Sequence, residues 1–267
     1  MSAIPLVTVD LSILCSYDSK GQTGGPRAAL KPLAQLGKAG IAVAEMAAAL
    51  KHLSDAVTAA GGDFRVTECH RDVNVQMAAR AKYNAWVAAG KPKPGTAAFD
   101  SKTMKSDYVA MPGKSMHNAG RAIDVHIGML HFPGVPANQQ LDKLWELAKP
   151  LGWSPIIKSA DEGASEAWHF DFWGELAGVH GRDGYEQAAF CGALLVGHAG
   201  VYQTFPALIQ ALLCRAGCSI GVIDGAIGPK TLAAAAALLK VDATSIAARV
   251  TAEDATLVTQ LAALPAA

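Results

Sequence analysis

Residues 114–128, KSMHNAGRAIDVHIG, gather two histidines, an arginine and an aspartate around two glycines, in a chain otherwise rich in alanine, leucine, valine and glycine. If RAIDVHI is a strand, its side chains alternate. Ile123, Val125 and Ile127 then point to one side and Ala122, Asp124 and His126 to the other. The small Ala122 leaves room above that second face, and the loop at 115–120 can return His117 over the strand. Imidazole plus carboxylate is a sound ligand pair for zinc, which needs three protein ligands and one open position to be catalytic. The helical H-E-x-x-H pattern is absent, so the ligands have to come from a strand-rich scaffold. The best third ligand is His169 in EAWHFDFW, with Glu166 three residues before it placed as a base rather than a ligand. Asp171 shares the His169 face and suits a supporting role, whereas His126 reads as a neighbour of the site or a surface residue.

The elements that must hold these residues follow from periodicity. GIAVAEMAAALKHLSDAVTAAG has helical spacing and stops at Gly61-Gly62. DFRVTECH alternates as a strand, VNVQMAARAKYNAWVAAG returns to helical period, and ANQQLDKLWELAKPLG is a further helix. KPKPGTAAFDSKTMKSDYVAMPGK has no period and is rich in Pro, Gly and Lys, which marks a long surface loop. Strands mixed with helices predict an α+β domain over residues 1–180, built on a small antiparallel sheet. A linker is expected over 181–199, followed by a small all-α domain over 200–267, alanine-rich and almost free of aromatics.

The motifs resemble a known family. S-x-H-x-x-G-x-A-x-D followed by E-x-W-H, here Ser115, His117, Gly120, Ala122, Asp124, Glu166, Trp168 and His169, is similar to the zinc D-Ala-D-Ala carboxypeptidases, VanY-like and L-alanyl-D-glutamate peptidases of peptidoglycan. VTECHRDVNVQ resembles the family's strand ending in an arginine and followed by a glutamine, here Arg71 and Gln76, although His70 stands where an aromatic residue is usual. The likeness spans about residues 60–175. It implies zinc on His117, Asp124 and His169, with Glu166 as the general base that takes a proton from water and passes it to the leaving amine. It further implies that Arg71 steadies the oxyanion or the substrate carbonyl, that Ser115 and Gln76 contact substrate, and that Trp168 packs beside the metal. LIQALLCRAGCSIGVIDGAIGPKTLAAAAALL, residues 208–239, resembles a peptidoglycan-binding helical module through Asp224, Gly225, Gly228, Pro229 and Thr231. Pro229 rules out a Walker phosphate loop, since it removes a backbone N–H.

Composition narrows the alternatives. Of 267 residues 51% are hydrophobic and 17% charged, enough apolar material for a packed core. Lys+Arg and Asp+Glu both number 23, so there is no basic excess to attract nucleic acid. Residues 187–214 lack charged side chains but are interrupted by glycines, His198 and Pro206, and read as two buried helices rather than a membrane span. The five cysteines, at 15, 69, 191, 214 and 218, have no disulfide-scaffold spacing, and Cys214 with Cys218 reads as core packing rather than a metal clamp. The N-terminus lacks a positive n-region, so synthesis in the cytoplasm without a signal peptide is expected, with action on the wall after release or dedicated export. The expected protein is a monomeric, endolysin-like or effector-like wall peptidase; the alternative is an inactive wall-binding protein that retains its zinc site.

Overall fold

A computed structural model describes residues 2–9, 40–93, 109–164 and 166–267. Cys15 and most of the loop expected at 91–114 lie outside the described residues. Near the N-terminus, β1 (Leu6–Thr8) pairs antiparallel with β2 (Ile41–Val43), which runs directly into α1 (Ala44–Ala59). Then come β3 (Val66–Glu68), α2 (Val73–Ala88), β4 (Ala122–Val125), α3 (Gln140–Ala148), β5 (Trp153–Pro155) and β6 (His169–Phe172). The last four strands form one antiparallel sheet in the order β3-β4-β6-β5.

The sheet's two faces differ in chemistry. Ile123, Val125 and Phe170 point into the main core, where they meet Met46, Leu50 and Leu53 of α1 and Leu141 and Leu144 of α3. On the other face, Ala122 lies opposite Asp171 and Asp124 opposite His169. Cross-strand neighbours sit about 4.5–5.5 Å apart at Cβ, so this register alone sets two of the expected ligands side by side. A bulge in β3 adds a third polar group: Val66 faces Val125, yet Glu68 faces Asp124. Regular alternation would send residues 66 and 68 to the same face. The extra residue turns Glu68 onto the polar one.

The loop before β4 is held down by a close approach. Gly120 has φ +65°, and a Cβ there would lie 2.7 Å from a Leu6 methyl and 3.2 Å from the Val43 nitrogen, which donates to the Gly120 carbonyl at 3.1 Å. Only glycine fits where this loop crosses the β1–β2 ribbon.

Beyond the sheet the chain is helical: α4 (Ala177–Asp183), α5 (Tyr185–Leu195), α6 (Phe205–Arg215), α7 (Pro229–Leu239), α8 (Ala243–Thr251) and α9 (Ala255–Ala262). The two buried helices expected in residues 187–214 are α5 and α6. Gly228 caps α7 and Pro229 opens it, at the one position where a missing N–H costs nothing. Helix α6 ends at Arg215, so Cys218 lies in the following turn and Cys214 does not have it one helical turn away. Among the described residues no single helix is long and apolar enough to cross a membrane.

The stretch 181–199 departs from the linker reading. It contains α5, whose Ala188, Cys191, Leu194 and Leu195 share a core with α6 and α9, while Ala189 packs on Met116 and Ala122 of the sheet's polar face. The composition shift and the glycines around it suggest a boundary here, but the apolar residues of this stretch form a helix that packs on both the helical core and the sheet. A line of ions crosses the same junction. Arg121, fully buried, pairs with Glu45 and lies 4.0 Å from Glu175, which receives Arg215 Nε at 2.7 Å. Arg215 also donates to the Leu264 carbonyl at 2.9 Å, so β4, α1, α6 and the C-terminus meet at one network.

Candidate metal centre and active site

Three side-chain atoms converge on the polar face. His117 Nε2 lies 3.1 Å from Asp124 Oδ1 and 3.1 Å from His169 Nδ1, and His169 Nδ1 lies 3.2 Å from Asp124 Oδ1. All three residues are buried, and among the described residues this is the cluster of His, Cys, Asp and Glu able to hold a metal ion.

The far side of each ring decides what the near side offers. His117 Nδ1 donates to the Cys69 carbonyl at 2.7 Å, and His169 Nε2 donates to Asp171 Oδ1 at 2.9 Å. With those protons fixed, neutral rings turn Nε2 of His117 and Nδ1 of His169 inward as lone pairs. Two imidazole lone pairs and a carboxylate oxygen then share one small triangle, an arrangement that calls for a cation. Burial pulls His169 down, but Asp171 and Asp124 outweigh it and lift its pKa to about 10. Burial likewise works against ionised Asp124, yet His117 and His169 hold it well below the usual carboxylate range.

Glu166 precedes β6 rather than lying on it. Its φ of +66° is left-handed, uncommon for a residue with a side chain, and its carbonyl accepts from His169 N at 3.0 Å. Its carboxyl is in electrostatic reach of His169, Asp124, Arg71 and His117. Burial raises its pKa, with Asp124 adding to the rise and the cationic groups opposing it. A carboxylate raised in this way is a better proton acceptor near neutrality than an ordinary glutamate.

Arg71 is fixed by neighbours. Its Nε donates to Glu68 at 2.9 Å and its Nη1 to Gln76 Oε1 at 3.1 Å, with Nη2 3.7 Å from Asp124 Oδ2. Gln76 is buried, and its amide nitrogen donates to the Ala110 carbonyl at 2.7 Å. Both ends of that amide have a partner within the chain, and its oxygen helps to hold Arg71. Ser115 is also buried, and its Oγ accepts from His117 N at 3.3 Å, which shapes the turn that carries His117. Trp168 packs against the main core and its carbonyl accepts from Val125 N at 2.8 Å. His126 lies one residue past β4, buried and outside the triangle.

Some residues were not singled out as chemistry in the sequence. Glu68 depends on the bulge for its direction. Asn118 ties the loop together, donating to the Arg71 carbonyl at 2.8 Å and accepting from Gly113 N at 3.1 Å. Tyr185, the first residue of α5, places its hydroxyl 3.5 Å from Asp171 Oδ1. An Asn inside an H-x-x-G loop was the one available signal among them. His70 is buried, its ring meets His198 edge-on at 4.5 Å, and burial first, then His198, lower its pKa to about 4.

The sequence profile of the D-alanyl-D-alanine carboxypeptidase family, VanY, matches residues 42–175. That is half of the 267-residue chain and takes in β2 through β6. The chain belongs to this family, which points to a peptidase acting on peptidoglycan. No curated protein matches the chain closely enough to count as a relative.

Proposed function

We propose that this protein is a zinc peptidase that hydrolyses amide bonds in peptidoglycan stem peptides. The observation that carries the reading is the triangle of inward lone pairs on His117, Asp124 and His169, each imidazole oriented from behind. Its edges of 3.1 to 3.2 Å lie a few tenths of an ångström inside the roughly 3.3–3.6 Å between ligand atoms of a tetrahedral ion with bonds of about 2.0–2.2 Å, so a small outward shift of the three side chains seats it. Two nitrogens and one oxygen are a donor set that zinc accepts with a position left open. When bound there, zinc supplies Lewis acidity and makes a nucleophile available near neutral pH.

The chain's own groups supply the rest. Glu166 takes a proton from the attacking water and returns it to the amine as the C–N bond breaks. Arg71, held in its plane by Glu68 and Gln76, faces the negative charge that develops on the carbonyl oxygen. Asp171 keeps His169 in the ligating tautomer. The helical region is proposed to hold the enzyme on the wall, its turn at Asp224 and Gly225 being the part that resembles a wall-binding module. An endolysin-like task on intact wall follows from that pairing.

His169→Ala tests the centre. The variant is expected to lose stoichiometric zinc by elemental analysis together with cleavage of soluble stem peptide. Full zinc content in it would sink the assignment. Digestion of purified sacculi followed by mass spectrometry of the fragments identifies the bond cut.

A further inference from the structure

The segment leading into the His117 loop forms one wall of a second concave site. A cavity of about 590 Å³ runs between residues 111–114, the start of α5, the turn at 201–204 and the turn at 222–225. This size lies within the range of ligand-binding clefts. Its floor is apolar and aromatic, with Met111, Phe190, Val201, Tyr202 and Val222. Among the described residues nine large hydrophobic side chains are exposed, and four of them, Met111, Val201, Tyr202 and Val222, line this one groove. Single exposed apolar residues need no explanation, but such a concentration indicates a partner.

The walls are built rather than loose. Lys114 pairs with Glu186 at 2.8 Å, a Cβ at Gly113 would lie 3.3 Å from the Phe190 ring, and Phe190 meets Tyr202 edge-on at 5.8 Å. Across the groove, Gln187 donates to the Gly221 carbonyl at 2.7 Å and accepts from Ile223 N at 3.3 Å.

Charge selects the occupant. Lys114 is the single cation in the lining, and it is committed to Glu186; Asp183 and Asp224 are also carboxylates. A ligand rich in free carboxylates, such as a stem peptide, meets repulsion here. A neutral sugar does not. Its C–H faces stack on the rings of Tyr202 and Phe190, while its hydroxyl and N-acetyl groups exchange hydrogen bonds with the carboxylates and Thr204. We propose that this groove seats the glycan strand of peptidoglycan, as N-acetylated amino sugars, next to the metal face. The cleft begins three residues ahead of His117, so a stem peptide hanging from a bound strand is delivered towards the peptidase site. The inference rests on the reading of the chain as a peptidoglycan peptidase.

The test uses the full chain, with an uncharged N-acetylglucosamine tetramer as probe, titrated by calorimetry and amide-resolved NMR. Saturable binding that perturbs residues 111–114, 201–204 and 222–225 is expected. Tyr202→Ala and Val222→Asp, both at exposed positions, should each weaken it on the order of tenfold. In the same variants the ratio of turnover on glycan-linked to free stem peptide should fall by a similar factor. Val241→Ala, at an exposed site outside the cleft lining, should bind as the parent does. Absence of tetramer binding, unchanged binding in both groove variants, or perturbation of the groove by free stem peptide alone would overturn the proposal. The two readings separate cleanly. Cleavage of free stem peptide without tetramer binding removes the groove and leaves the peptidase; tetramer binding without cleavage does the reverse.

Discussion

Along β4 and β6 the buried side chains include Asp124, His169 and Asp171; along α5 they are alanine, cysteine, glycine and leucine. Both regions are equally hidden from water, yet they store free energy differently. Burying an ionised carboxylate is costly unless it is paired and hydrogen-bonded, so the sheet surrounds Asp124 with two imidazoles and an arginine. The helices gain stability from area alone, at about 25 cal/mol per Å² of apolar surface. A site built on strained, costly groups therefore leans on a neighbouring region that is almost purely apolar. The contact between them is direct, through Ala189 and Tyr185 of α5 against Met116, Ala122 and Trp173.

Separating the two regions should give the largest effect. A fragment ending near residue 196 leaves α5 without α6 and strips Glu175 of Arg215. It is expected to aggregate, whereas the full chain runs as a single species on size exclusion. A soluble, zinc-loaded fragment with native near-UV dichroism would show that the sheet region stands alone and would break the comparison.

The next effect lies inside the sheet region. Glu166→Ala should keep zinc and fold while losing about 10²- to 10⁴-fold in kcat, the usual worth of general-base help. Loss of zinc in that variant would make Glu166 a ligand instead. Asp171→Asn leaves the shape intact but removes the charge that orients His169. It is expected to weaken zinc binding by about 10- to 100-fold, read by competition with a chelating dye.

The smallest effect concerns pH. Because burial raises the Glu166 pKa and a base must be ionised, kcat/KM should fall as pH drops through that raised value. The acid limb should lie above the ordinary glutamate range. Arg71→Ala removes one of the cations that oppose the rise, so its residual activity should show the limb moved further up. A limb unmoved from the ordinary glutamate position would assign it to another group.

Much of the site was legible because it is local. The spacing of His117 and Asp124 on a loop-and-strand unit, and of Glu166 and His169 before and on a second strand, survives in one dimension. Helix positions were equally local, set by apolar period and by stops such as Gly61-Gly62. Gln76 and Ser115 show the limit. Their types suit substrate contact, but only the fold reveals that both are buried and that Gln76 also bonds to Arg71 and Ala110 and Ser115 to the His117 turn.

The sequence by itself determined the residue types, the strand alternation that parts Asp124 from the core, and the apolar period of the helices. Tertiary structure decided which strands pair, and with them the opposition of Asp124 to His169. It also decided the bulge that turns Glu68 inward, the left-handed backbone at Glu166, and the docking of α5 where a linker was expected. The physical reason is that these depend on contacts between residues distant in the chain. Register is fixed by which face can be buried against α1 and α3, and the apolar residues of α5 do not say in one dimension that they pack on the sheet as well as on the other helices.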